Sequence, residues 1–145
     1  MKIGLTLALM IAVTGQVLYH VTQKSVNAAA HPVVSLIVFY LVAALLSLPL
    51  LWLFPVSAPL PDELGRLNWA VYGVALSIVL IELGFLLAYR AGGSLSSSFV
   101  LSASAVTAAL FLIGSLAFQE GFSTAKVVGV GLCLSGIWLV TRSQA

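Results

Sequence analysis

Long apolar runs, separated by short polar or proline-containing stretches, dominate the pattern of hydrophobic and polar positions along this chain. Each run has close to the roughly 20 residues that an α-helix needs to cross the hydrocarbon core of a bilayer, although the last is shorter. We see no alternation with the period of two that a membrane β-strand requires. The pattern therefore predicts an all-α integral membrane protein with five transmembrane helices and with its N- and C-termini on opposite sides. The predicted helices cover residues 3–22, 33–54, 69–89, 97–118 and 125–141 of a single domain, 1–145.

The stretches between the runs carry signals for turns and helix starts. Residues 27–32 join the first two helices and end in Pro32, which suits the first turn of a helix. Pro49, inside the second helix, predicts a bend rather than a break. The longest connection is 55–68, and residues 91–94 predict a tight turn before the fourth helix. The alanines at 28–30 imitate a signal-peptide cleavage site, but several polar residues separate them from the apolar centre, so we expect the first helix to be retained.

Composition agrees with this class and excludes others. The 145 residues are 61% hydrophobic and only 7% charged, too few polar side chains to cover the surface of a soluble domain. The net charge of +2 is too small and too dispersed to indicate a nucleic-acid partner. Cys133 lies in an apolar run, and the two histidines lack convergent Cys, Asp or Glu residues, so neither a metal site nor another cofactor is expected. The expected location is the cell membrane.

The positive charges do not select one orientation. With five helices, three basic residues fall on each side of the membrane, so the positive-inside rule has nothing to act on. One interpretation is a single orientation that weaker cues choose. The sharper interpretation is insertion in both orientations, with two copies forming an antiparallel dimer. The two groups are Lys2, Arg66 and Lys126 on one side, and Lys24, Arg90 and Arg142 on the other.

Glu82 is the candidate functional group because it is a carboxyl in the otherwise apolar run 71–89. An ionisable side chain in a membrane span is costly, so it is a functional-site hypothesis by default. One face of the first helix carries four polar side chains: Gln16, Tyr19, His20 and Gln23. We expect Gln16 to lie at the depth of Glu82 and to be its hydrogen-bond partner. The structural alternative is a protonated or paired Glu82 that only holds helices together.

His20 has two interpretations as well: it could relay protons, but a hydrogen bond to a carbonyl at the membrane boundary is favoured. Tyr89 shares the face of Glu82. In the fourth helix, Ser98 and Ser102 either let helices approach closely, which is the default, or line a polar pathway. Gly129 and Gly136 are seven residues apart on the fifth helix, and this glycine seam is expected to pack against another helix, within the protomer or across a dimer.

The segment AYRAGGSLSSSFVLSASAVTAALFLIGSLAFQEGFS, followed by AKVVGVGLCLSGIWLVTR, resembles the second part of an EamA-type domain, the repeat of the drug/metabolite transporter superfamily. The shared features are a small-residue helix, a Glu at its end (Glu120) and a glycine-spaced final helix. The opening GQVLYHVTQKS resembles the first helix of the same superfamily, including Lys24. Full-length members carry two such five-helix repeats in inverted orientation. The resemblance therefore implies that two chains assemble into one transporter.

The small multidrug resistance transporters are four-helix relatives in that superfamily. They place an essential Glu in helix one, where this chain has Gln16, and a Tyr and a Trp in helix three, which correspond to Phe99 and Ser102. These differences argue against multidrug cation antiport. They leave Glu82 as a coupling group on another helix.

The leading hypothesis is a homodimeric secondary transporter of a small polar or cationic metabolite, proton-coupled through Glu82. Its site would be lined by Gln16 and Tyr19, with polar contacts from Tyr89, Ser98 and Ser102. Neither a nucleophile elbow, nor paired catalytic carboxylates, nor a phosphate loop appears, so an enzyme is disfavoured. Two other classes stay open: a non-transporting accessory subunit of a membrane complex, and a flippase for a lipid-linked intermediate.

Overall fold

The computed structural model describes residues 4–118 and 123–142, and within them the chain forms seven α-helices and no strand. Four stretches in this part are long and apolar enough to cross a membrane, which confirms the all-helical membrane class. They are Leu5–Lys24, Pro32–Leu53, Ala70–Arg90 and Leu95–Gly114. The seven helices are α1 (Leu5–Lys24), α2 (Pro32–Ser47), α3 (Leu50–Leu53), α4 (Leu60–Gly65), α5 (Ala70–Arg90), α6 (Leu95–Ala117) and α7 (Thr124–Arg142).

The fifth predicted span, 125–141, coincides with α7, which has 19 residues. That α7 crosses the membrane, and that the termini lie on opposite sides, stay predictions. Glu120 lies outside the described residues. The chain divides into two compact units, Met1–Ala91 and Gly92–Ala145.

At Pro49 the second span is interrupted between two helices, although its backbone stays helical. Helix α2 ends at Ser47, and α3 begins at Leu50, with Leu48 and Pro49 both in the right-handed helical region. The Leu51 and Trp52 amides bond to carbonyls three residues earlier instead of four. The proline ring prevents one normal helical bond, and these tighter bonds satisfy the backbone groups around it. The span therefore passes Pro49 without exposing a gap in its backbone hydrogen bonding to lipid, and a bend at this position stays a prediction.

In the first unit, α5 packs against both α1 and α2. The buried side chains come from all three helices and cluster where α1 and α5 end and α2 begins. Leu86 is only 1% exposed and lies at the centre of this packing. Most other apolar side chains point away from the unit, as expected for helices surrounded by lipid tails. The buried residues are Gln23 on α1, Ser35 and Leu36 on α2, and Leu86 and Tyr89 on α5.

The connection between α3 and α5 contains a short helix, α4, that the sequence did not predict. Asp62 and Glu63 lie in its first turn, where negative charge complements the free amides of a helix start. Arg66 pairs with Glu63 at 2.6 Å. Trp52 and Trp69 flank this connection and are 90% and 80% exposed. Tryptophans at the ends of spans are typical of the boundary between lipid tails and headgroups, so this connection marks one membrane surface.

A glycine turn ends α5, and a serine begins α6. Gly92 has φ +93°, a conformation that favours glycine, so the predicted turn is confirmed. The Ser94 side chain accepts a hydrogen bond from the Ser97 amide at 3.2 Å. This cap starts the helix at Leu95, two residues earlier than predicted. In the second unit, α6 packs against α7.

Candidate functional site

Glu82 lies in the middle of α5 and is half-buried within the first unit. It precedes Arg90 at the helix end by eight residues, which places it about 12 Å along the axis from that end. A carboxyl at this position is well inside the span and cannot reach water along its own helix. Protein, water or a ligand must therefore cover its exposed part.

Two tyrosines on neighbouring helices share the electrostatic environment of Glu82. Tyr19 on α1 and Tyr40 on α2 both interact with its carboxyl group. Both hydroxyls are buried, as is Glu82 Oε2, and none of these three oxygen atoms has a hydrogen-bond partner of standard geometry in the part of the chain that the structure describes. Because a buried polar atom without a partner is costly, this arrangement needs a further group to complete it.

Gln23 fastens α1 to the turn of α5 that carries Glu82. Its Nε2 donates a hydrogen bond to the Glu82 main-chain carbonyl at 2.9 Å, and the side chain is 4% exposed. Helical side chains lean toward the N-terminus, so a long amide near the end of α1 reaches down to the level of Glu82. Three side chains thus interact with the Glu82 carboxyl, and all are uncharged: Gln23, Tyr19 and Tyr40.

The expected bond from Gln16 to Glu82 is not formed. The Gln16 side chain is exposed and makes no hydrogen bond to any described residue. It shares the face of Gln23, but it lies two helical turns farther from the packed end of α1, where α5 does not bury it. Gln23 takes the predicted role of amide partner, and a role for Gln16 in lining the site stays a prediction.

An aromatic group lies directly beyond Glu82 toward the packed end of the unit. The Phe85 ring contacts His20 edge-on, with ring centroids 4.6 Å apart, and Tyr19 at 6.1 Å. Tyr89 stacks on Phe85 at 5.9 Å. Edge-to-face and stacked pairs of this kind add packing energy beyond their buried area. The rings therefore form a rigid wall on one side of the carboxyl.

His20 bonds to Tyr89 within this wall. Its Nδ1 lies 2.9 Å from the Tyr89 hydroxyl. The sequence favoured a main-chain carbonyl as the partner and did not identify Tyr89. Lys24 lies above the Tyr89 ring, with Nζ 5.8 Å from the centroid. Arg90 donates from Nη2 to the Asn27 carbonyl at 3.4 Å, so two cations close this end of the unit.

Ser98 and Ser102 lie on α6 in the second unit, and both are half-buried. The Ser102 hydroxyl donates to the Phe99 carbonyl of its own helix at 3.0 Å, which is the usual way for serine to satisfy itself in an apolar helix. This bond agrees with the packing interpretation. A contribution of either serine to a polar pathway stays a prediction.

Gly129 and Gly136 on α7 have open space beside them. A Cβ atom added at either position would meet no heavy atom of the described residues within 4 Å beyond its own helix. Gly129 instead lines an open apolar groove of about 660 Å³ between α6 and α7. The described chain therefore provides no close partner for the glycine seam within the protomer. Packing across a dimer stays a prediction.

The site also includes Tyr40, Gln23 and Phe85. Gln23 is predicted on the polar face of the first helix and Phe85 on the face of Glu82, but the sequence analysis names none of the three as a site residue. The sequence does single out Tyr40, because it carries the only hydroxyl among residues 36–46 of the second span. Whether the Tyr40 side chain points toward Glu82 depends on how α2 packs on α5. The hydrophobic periodicity of α2 does not determine that packing. We call Tyr19, Gln23, Tyr40, Glu82 and Phe85 the Glu82 cluster. Comparisons with family models, with curated proteins and with solved structures found no match to this chain.

Proposed function

We propose that the chain is a subunit of a homodimeric secondary transporter, which moves a small polar or cationic metabolite across the cell membrane. Glu82 is the group that responds to the proton or to the substrate. The observation that carries this proposal is the set of three buried oxygen atoms without partners, Tyr19 Oη, Tyr40 Oη and Glu82 Oε2. They come from three different helices, so a ligand bound among them senses the packing of all three.

Chemistry favours a cation or a neutral polar molecule over an anion. The side chains around the carboxyl of Glu82 are uncharged amides and phenols, so an anion would meet uncompensated negative charge. Substrate binding near the middle of the membrane, at the interface of two repeats, is the usual design of secondary transporters. A second copy of the chain supplies the opposing half of such a site. Alternating access then follows from rocking one half against the other.

The test is uptake into proteoliposomes by the purified protein and by Glu82→Gln. The substitution keeps the size of the side chain but removes its negative charge and its titration. We expect uptake of small amines to fall by at least about tenfold, because a hydrogen bond to a charged group contributes roughly 1.5–3 kcal/mol. The pH dependence of uptake should disappear with it.

Glu63→Gln is the matched control, since it makes the same chemical change in the connecting segment, where Glu63 pairs with Arg66. Uptake should be unchanged in this variant. Unchanged uptake and pH dependence in Glu82→Gln would remove Glu82 from the mechanism. Absence of uptake by the unmodified protein across a panel of amines, amino alcohols and neutral polyols would favour an accessory subunit.

A further inference from the structure

We propose that the ligand of the Glu82 cluster is a protic ammonium compound: a protonated primary or secondary amine that also carries a hydroxyl or ether oxygen. A quaternary ammonium ion does not fit. The inference rests on the proposed function, because it names the substrate class of the same site. It follows from counting the hydrogen bonds that the cluster leaves unmade.

The three unpartnered oxygen atoms have different requirements. When Glu82 is ionised, its carboxylate only accepts hydrogen bonds, so Oε2 then takes a donor from the ligand. A phenol both donates and accepts. The Tyr19 hydroxyl interacts with the Glu82 carboxyl itself, whereas the buried Tyr40 hydroxyl has a proton to give to a ligand. The ligand must therefore present at least one N–H or O–H and at least one acceptor oxygen. A protonated amino alcohol presents both within a few bonds of each other.

We expect a positively charged ligand because the side chains that interact with the Glu82 carboxyl are uncharged. Gln23 and Tyr19 interact with the carboxyl but cannot neutralise it. A buried carboxylate is stabilised most strongly by a cation that also donates hydrogen bonds to it. A water molecule satisfies hydrogen bonds but leaves the charge unpaired. An ammonium group supplies three donors and a full charge together.

A quaternary ammonium ion is attracted by only part of the cluster. Its methyl groups can lie against the rings of Phe85 and Tyr19, whose centroids are 6.1 Å apart. It has no N–H to give to Glu82 Oε2 and no oxygen to accept from the tyrosines. It would leave these buried oxygen atoms as they are, so it gains none of the hydrogen bonds that a protic ligand makes. The aromatic wall is thus a surface for the carbon skeleton of the ligand.

Binding of matched ligand pairs tests this inference on the full chain in lipid nanodiscs, by titration calorimetry. Benzylammonium and benzyltrimethylammonium share their ring and their charge, but three methyl groups of the second replace the three N–H groups of the first and enlarge its head group. We expect benzylammonium to bind at least about tenfold more tightly, the ratio that one charge-assisted hydrogen bond provides. This comparison uses the unmodified protein, so it does not depend on whether a variant folds.

The second pair tests the acceptor oxygen. We expect 2-amino-1-phenylethanol to bind more tightly than 2-phenylethylamine, and Tyr40→Phe to abolish that difference. Tyr72→Phe is the control, because Tyr72 is also a tyrosine of the first unit but is 78% exposed. A hydroxyl advantage that survives in Tyr40→Phe would overturn the assignment of Tyr40 as a donor.

The outcomes separate this inference from the proposed function. If both members of the first pair bind equally, or the trimethyl compound binds more tightly, and Glu82→Gln weakens both, the site binds cations but the N–H requirement is wrong. If neither compound binds, or if Glu82→Gln changes nothing, the proposed substrate site itself is wrong. Preference for benzylammonium that Glu82→Gln removes supports both.

Discussion

Gln23 shows how a single polar side chain joins two membrane helices. Lipid tails are as apolar as the helices, so no hydrophobic force drives α1 against α5. The hydrogen bond from Gln23 to the Glu82 carbonyl is one of the specific contacts between them. Its position also orients the turn that carries the carboxyl. The same side chain therefore affects both stability and the geometry of the site.

Replacing Gln23 with leucine should destabilise the protein, and replacing Gln16 with leucine should not. The first change removes a bond made by a side chain that is 4% exposed, whereas the second removes an exposed amide that makes no bond in the described structure. We expect Gln23→Leu to lower the free energy of unfolding by about 0.5–1.5 kcal/mol, the range for one inter-helical hydrogen bond. Reversible unfolding in mixed detergent micelles measures the difference. Equal losses in the two variants would contradict the assigned role of Gln23.

At the scale of elements, α6 and α7 form a pair whose outer groove is open. Gly129 lines the groove together with Gly114 of α6, and neither carries a side chain to fill it. Val127, Leu132 and Leu139 of α7 are at least half-exposed to the surroundings. Small residues beside such a groove allow another helix to approach closely. A second copy of the chain is the occupant that the proposed dimer requires.

Gly129→Leu should therefore weaken the dimer without unfolding the second unit. Within the described chain an added Cβ atom meets no heavy atom within 4 Å, and the rest of the leucine would occupy the open groove that a partner helix is proposed to enter. Gly131→Leu is the control, because Gly131 points to a different face of α7 and also has open space. The dimer fraction in nanodiscs, from single-molecule photobleaching steps, should fall several-fold for Gly129→Leu alone. An unchanged dimer fraction in Gly129→Leu would place the interface elsewhere.

At the scale of the whole molecule, the distribution of positive charge bears on orientation. In the first unit, Arg90 bonds to the loop after α1, so Lys24 and Arg90 lie at the same end. Arg66 lies in the connection at the other end, beside α4. With five predicted spans, each side of the membrane carries three basic residues, so the positive-inside rule favours neither orientation.

Both orientations should therefore be found in cells. Reporter proteins fused to the C-terminus, one active only inside and one only outside, should both give signal for the unmodified chain. Ala29→Lys adds charge to the loop between α1 and α2, and Ser57→Lys adds charge to the connection between α3 and α4. These variants should shift the signals in opposite directions, because one added lysine sets the orientation when the two sides otherwise carry equal numbers of basic residues. A single signal that neither variant changes would exclude dual insertion and an antiparallel dimer.

Particular residues show how far the sequence alone reaches. The long apolar runs predict the helices, because a span in lipid must satisfy its own backbone and only a helix does so within one segment. Pro49 and the glycine turn at Gly92 act on their own backbone, so their effects are readable in advance. Helix α4 was not predicted, because the six residues Leu60–Gly65 are too few to show the 3.6-residue spacing of apolar side chains.

Composition and local spacing are enough to identify a helical membrane protein with one carboxyl deep in a span. The side chains that surround that carboxyl follow from the packing of the helices instead. Gln16 and Gln23 share a face of α1 and are equivalent by periodicity, but α5 packs against the end that carries Gln23. Tyr40 reaches the site because α2 packs on the other side of α5. The neighbours of Glu82 depend on how α1, α2 and α5 pack together. That packing depends on the surfaces of all three helices, so it cannot be predicted from the sequence of any one of them.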